Sequence, residues 1–157
     1  MKIFAYKVVQ SHDDTKPFAD RLKEEAAKEL VDRLYSRQGR QLRLENHRVS
    51  KGLVELNFVG FRLTNAPVRV AETREAEEIT IAKDEYFGEE TACLYDPDTG
   101  YLVVQYNHYG PRVSNISDCL AYKDNGISHS YLMAPRLSRT SEARIRGLGM
   151  VSRVEVA

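Results

Sequence analysis

The chain has 157 residues, with 23 basic and 23 acidic side chains and no formal net charge, which is one domain's worth of sequence with no whole-chain pull on a polyanion. Its 42 % apolar and 29 % charged residues are an ordinary globular balance. No apolar run approaches the roughly twenty residues of a membrane span, and Cys93 and Cys119 are too few and too far apart for a metal knuckle or a disulfide framework, so composition points to a soluble, cytoplasmic domain without membrane contact.

The first nine residues after Met1, Lys2 to Gln10, alternate and are rich in aromatic and β-branched side chains, which predicts a strand. A polar connection follows, with Asp14 or Thr15 as helix cap and Pro17 in the first turn. Phe18, Leu22, Ala26, Leu30 and Leu34 then recur every four residues, and the spacing predicts a long helix over about 16–36, with Gly39 as its stop. Gln41 to His47 and Leu53 to Leu63 read as strands, with Gly60 marking a bulge or a close backbone approach. Val68 to Val70 and Ile79 to Ala82 read as short strands around an acidic loop.

Glu90 to Asp96 and Tyr101 to Asn107 form the best hairpin signal, joined by Pro97-Asp98-Thr99-Gly100. If Asp96 pairs with Tyr101, the two-residue period puts Glu90, Ala92, Leu94, Val103, Gln105 and Asn107 on one face. Its far end gathers Glu90, Gln105 and Asn107, a polar group that reads either a ligand or a neighbouring loop. Tyr109-Gly110-Pro111 turns the chain, Ser114 or Asn115 caps a short helix through Tyr122, and Asn125-Gly126 ends it. Ser130 to Arg136 predicts a strand, Ser141 to Leu148 a short helix or turn, and Met150 to Val156 a last strand. The expected fold is therefore α+β: a mostly antiparallel sheet with one long helix and two short ones, in a single domain. The apolar final strand suits either an excised N-terminal domain or a short complete protein.

Charge is segregated although it sums to zero. Residues 72–98 hold ten carboxylates (Glu72, Glu75, Glu77, Glu78, Asp84, Glu85, Glu89, Glu90, Asp96, Asp98) against Arg74 and Lys83. Two stretches are basic: residues 33–51 hold Arg33, Arg37, Arg40, Arg43, Arg48 and Lys51 against Glu45 alone, and residues 136–153 hold Arg136, Arg139, Arg144, Arg146 and Arg153 against Glu142 alone. They are almost all arginine, whose planar fork of donors suits phosphate. Brought onto one face they make a phosphate-binding surface; kept apart they are solvated faces or partners of the acidic stretch. Tyrosines 95, 101, 106, 109 and 122 suit base stacking or a protein interface when exposed, and core when buried.

No catalytic spacing emerges. The carboxylates of 84–98 admit a Mg²⁺-dependent nuclease in principle, but Asp96 to Gly100 reads first as a turn. His12, His47, His108 and His129 are isolated from one another and from cysteine, so no metal or cofactor is expected.

The run Asp84-Glu85-Tyr86-Phe87-Gly88-Glu89-Glu90, then Leu94-Tyr95-Asp96, Gln105-Tyr106-Asn107, Gly110, Ile116 and Leu120, resembles a pattern in uncharacterised proteins of bacterial mobile elements. Thr91 to Leu120, with Gly110-Pro111 before a short helix, and Gly149 with Val154-Glu155-Val156, are similar to the A proteins of the Rex phage-exclusion system of lambdoid prophages. That resemblance implies a role in phage defence and DNA binding without strong sequence preference, and no catalytic residue. The sequence is therefore read as a non-enzymatic nucleic-acid-binding domain. The alternatives are a protein-interaction module that forms a homodimer or binds a phage or host protein, and a Mg²⁺-dependent nuclease.

Overall fold

The computed structural model describes residues 2–62 and 67–137 of the chain. Among these, seven strands form one antiparallel sheet. In chain order they are β1 (Ile3–Gln10), β2 (Tyr35–Arg37), β3 (Arg40–Ser50), β4 (Leu53–Arg62), then β7 (Phe87–Asp96), β8 (Tyr101–Gln105) and β11 (Tyr131–Pro135). Their spatial order is β11-β1-β8-β7-β4-β3-β2. Two further hairpins, β5 (Val68–Ala71) with β6 (Arg74–Glu78) and β9 (Tyr122–Asp124) with β10 (Ile127–His129), pair only within themselves. Helices α1 (Phe18–Ala27) and α2 (Val113–Leu120) complete the described elements.

One face of the sheet is the core. The registers Leu44–Phe58–Thr91, Leu56–Cys93–Val104 and Val54–Tyr95–Leu102 line up every second residue of β3, β4, β7 and β8 on that face, and all of these are buried. Phe18 and Leu22 of α1, and Ile116, Cys119 and Leu120 of α2, close over them. Helix α2 touches both β11 and β3, the first and sixth strands in order, which requires the sheet to curl around it. Phe18 meets the edges of Tyr95 and Tyr131 at centroid distances of 4.8 and 5.0 Å.

The long helix expected over 16–36 is not formed. The structure is mostly antiparallel β with two short helices, and α1 stops at Ala27. A strict four-residue repeat drifts about 40° per step on a 3.6-residue helix, so Phe18 and Leu34 would end on nearly opposite sides. Leu30 and Val31 are indeed 46 % and 75 % exposed. At the break, Lys28 is extended, and the Arg33 guanidinium folds back to donate to the carbonyls of Ala26 (2.7 Å), Lys28 (2.8 Å) and Leu44 (3.3 Å). Carbonyls that a continuing helix would bond are satisfied this way. The chain is then free to add β2 to the sheet edge.

Two glycines, Gly39 and Gly126, read differently in the fold than in the sequence. Gln38-Gly39, Lys51-Gly52 and Asn125-Gly126 all have positive φ at both positions and form two-residue hairpin turns, joining β2 to β3, β3 to β4 and β9 to β10. Gly39 and Gly126 are thus turn residues, not helix stops. The acidic stretch expected as a loop supplies β6, whereas Ile79 to Ala82 is not a strand. The helix or turn expected at 141–148 and the strand at 150–156 lie outside the described residues.

A candidate phosphate-binding cleft

The end of the sheet where β3 begins and β4 finishes carries a cleft of about 530 Å³. One wall is the β2–β3 turn and β3, through Gly39, Arg40, Gln41 and Leu42. The floor is Gly60, Phe61 and Arg62 of β4 with Glu89 of β7, and the far wall is the loop from His108 to Arg112 with Asn115 of α2.

That far wall is held tightly. Thr91 sits on the core face of β7 and is fully buried; its hydroxyl donates to the Pro111 carbonyl at 3.0 Å. Gly110 lies so close to β7 that a Cβ there would meet Thr91 Oγ1 at 2.4 Å and the Glu90 carbonyl at 3.0 Å. Gly60 allows Pro111 the same approach, since a Cβ would stand 3.2 Å from its ring. At Gly110 only glycine permits the contact, while at Gly60 a side chain would need the Pro111 ring to give by a few tenths of an ångström; of the bulge or close approach expected at Gly60, the close approach is what is seen. Asn107 donates to the Glu90 carbonyl (2.7 Å) and accepts from the Tyr109 N–H (3.1 Å), so this residue of the polar hairpin end secures the loop. The register Asp96–Tyr101 and Leu94–Val103 keeps Glu90 and Gln105 on the outer face.

Three arginines line the cleft. Arg112 precedes α2, its backbone N–H held by the Asn115 side chain (3.3 Å). Its guanidinium lies 4.6 Å from the Tyr106 ring centroid and donates to the His108 carbonyl at 3.0 Å. Arg62 lies 4.7 Å from the Tyr109 ring and pairs with Glu89 at 3.2 Å. Arg40, next to the turn, is exposed. Among the described residues neither Arg40 nor Arg112 has a carboxylate partner. Such an arrangement presents a forked, positively charged lining with aromatic faces at its edge, which suits a phosphate group.

The other basic candidates among the described residues are not gathered here. Arg37 pairs with Asp118 (3.2 Å) and Arg43 with Glu45 (2.6 Å), the latter lying over Phe61 on the outer face. Arg48 and Lys51 belong to the other end of the β3–β4 hairpin, about 30 Å along the strand from Arg40. Arg136 follows β11, at the opposite edge of the sheet from β2, and donates to the Tyr101 hydroxyl at 2.8 Å. Arg139, Arg144 and Arg146 lie outside the described residues. The face joining both basic stretches is therefore not seen among the described residues. Arg62 and Arg112, which stand outside the arginine-rich runs, complete the cleft instead. The alternation of β4 puts Arg62 beside Gly60, and the Gly-Pro turn points to Arg112; those were the signals available in the sequence.

The carboxylates of 84–98 do not assemble a metal site: among the described residues, no three of His, Cys, Asp and Glu converge. Asp96 accepts from the Thr99 hydroxyl (2.6 Å) and from the Asp98 and Thr99 N–H groups, and the Thr99 bond leads in holding its carboxyl below the usual range. It stabilises its own turn. Cys93 and Cys119 are buried, and burial pushes both thiols up to about 12. No described helix is long and apolar enough to cross a membrane.

Residues 6–127 match the model of a family of unknown function, DUF6731, and the chain belongs to that family. No curated protein and no solved structure matches the chain.

Proposed function

We propose that this chain is a non-enzymatic nucleic-acid-binding module that contacts phosphate through the cleft between the β2–β3 turn and the 108–112 loop. The observation that carries the reading is the convergence of Arg40, Arg62 and Arg112 on one concavity. Arginines on unrelated strands and loops meet there while the chain as a whole is neutral. A locally positive concavity focuses field toward an anion even when net charge is zero. Support for a phage-defence or mobile-element setting comes from the Rex-like residues alone.

Fluorescence polarisation with labelled oligonucleotides at low and moderate salt tests the reading. Binding is expected at low salt and falls steeply with added salt. A folded sample that binds no oligonucleotide at low salt overturns it.

A second reading, self-association or a protein partner, has one observation in its favour. The outer face of the sheet carries Ile3 and Leu132 exposed and Leu94 and Val103 half-buried, and among the described residues no helix covers it. Sedimentation showing a monomer across a wide concentration range, with no partner captured, counts against it.

A further inference from the structure

Resting on the phosphate reading above, we infer that the cleft takes a nucleotide unit of a single strand, its base stacked at Tyr109 and its phosphate held by Arg40, and that it discriminates against duplex.

The size of the concavity, about 530 Å³, suits a ligand on the scale of a nucleotide. A duplex keeps its bases paired and stacked inside, and presents only its backbone to the rim. The aromatic equipment is superfluous for a backbone contact. Tyr109 lines the cleft and is 65 % exposed although Arg62 covers one side of its ring and the His108 ring meets it at right angles, 4.8 Å between centroids. An exposed phenol ring backed by a guanidinium is a ready platform for the π face of a base. Polar bonds fix the platform: the Tyr109 N–H donates to Asn107 Oδ1, and Arg112 donates to the His108 carbonyl. Little ordering is then left for binding to complete.

Charge divides the cleft in the same sense. Arg62 and Glu89 form a pair that is neutral as a unit, and it stands with Tyr109. Arg40 has no such neutralisation among the described residues, which leaves it to take the negative charge, while the Arg112 guanidinium is held on the Tyr106 ring and the His108 carbonyl. Stacking at Tyr109 on one wall and phosphate at Arg40 on the other is the division that recognises an unpaired nucleotide without reading its sequence.

The test compares three probes by polarisation or competition at low salt: an unstructured single strand of about fifteen nucleotides, the corresponding blunt duplex, and a free mononucleotide. The single strand is expected to bind at least about tenfold more tightly than the duplex, and the mononucleotide to compete with it for the same site. Tyr109→Ala should weaken single-strand binding about tenfold without altering its salt slope, and Tyr109→Phe should retain it. Arg40→Ala should lower the slope by about 0.7, one phosphate's contribution on a single strand. Both residues are exposed, so the variants fold, and circular dichroism verifies it. Equal binding of duplex and single strand, an unchanged Tyr109→Ala, or a mononucleotide that does not compete with the strand overturns this inference while phosphate binding stands. Absence of binding to all three overturns both.

Discussion

Gly110 shows how one missing side chain builds the cleft wall. Its backbone lies where a methyl group would collide with Thr91 Oγ1 and the Glu90 carbonyl, both on a central strand that cannot move away. Gly110→Ala is expected to cost about 1–3 kcal/mol of stability, the range for overpacking, and to be read by chemical denaturation. Gly39→Ala meets no atom within 4 Å, but its φ of +73° is one that a side chain resists; it should cost about 1 kcal/mol. The comparison separates crowding from backbone strain.

The buried thiols belong to the same scale. Burial raises Cys93 and Cys119 to about 12 from an ordinary 9.0, and it raises Tyr131, Tyr95 and Tyr6 as well. A raised folded pKa means the unfolded chain releases its proton first. Stability from these groups is therefore full below about pH 9 and is lost progressively as pH rises toward 12. Melting temperatures measured from pH 8 to 11 should fall, and the Cys93→Ala, Cys119→Ala double variant should fall less steeply from its own starting value. Thiol reagents should modify neither cysteine until the chain unfolds.

At the scale of elements, the legible and the illegible parts of the sequence divide along a physical line. Strands such as β4, β7 and β8 could be read because their two-residue alternation reports a half-buried sheet directly. The register of the β7–β8 hairpin follows from Asp96-Pro97-Asp98-Thr99-Gly100, whose turn chemistry is local. The length of α1 was not legible in the same way. Its apolar residues continue to Leu34, and what ends the helix is a tertiary contact, Arg33 reaching across to the carbonyls of Ala26 and Leu44. Helix propensity yields to such contacts. Arg33→Met should lower stability by about 1 kcal/mol and speed amide exchange in the last turn of α1. The three X-Gly turns were a missed signal rather than a hidden one: each glycine lies between stretches that alternate, which is hairpin grammar.

At the scale of the molecule, the first basic run in the sequence does not become a basic patch in space. Arg37, Arg40, Arg43, Arg48 and Lys51 occupy one segment, yet an extended hairpin spreads them over its length and both faces, and Asp118 and Glu45 take up two of them. A strand separates neighbours by about 3.3 Å per residue and alternates their direction, so a basic run on a strand is not a basic patch. Conversely, Arg40, Arg62 and Arg112 are widely separated in sequence and meet because β3, β4 and the 108–112 loop reach the same end of the sheet. No local pattern encodes that convergence; the closure of Gly110 and Pro111 onto β7 and β4 creates it.

Backbone amide shifts on oligonucleotide addition locate the proposed nucleic-acid contact residue by residue. Perturbations are expected to concentrate at residues 39–42, 60–62 and 108–112, growing with oligonucleotide and reversed by salt. Perturbations centred on Arg48 and Lys51, on Arg136, or on the outer face around Leu94 and Val103 would contradict it.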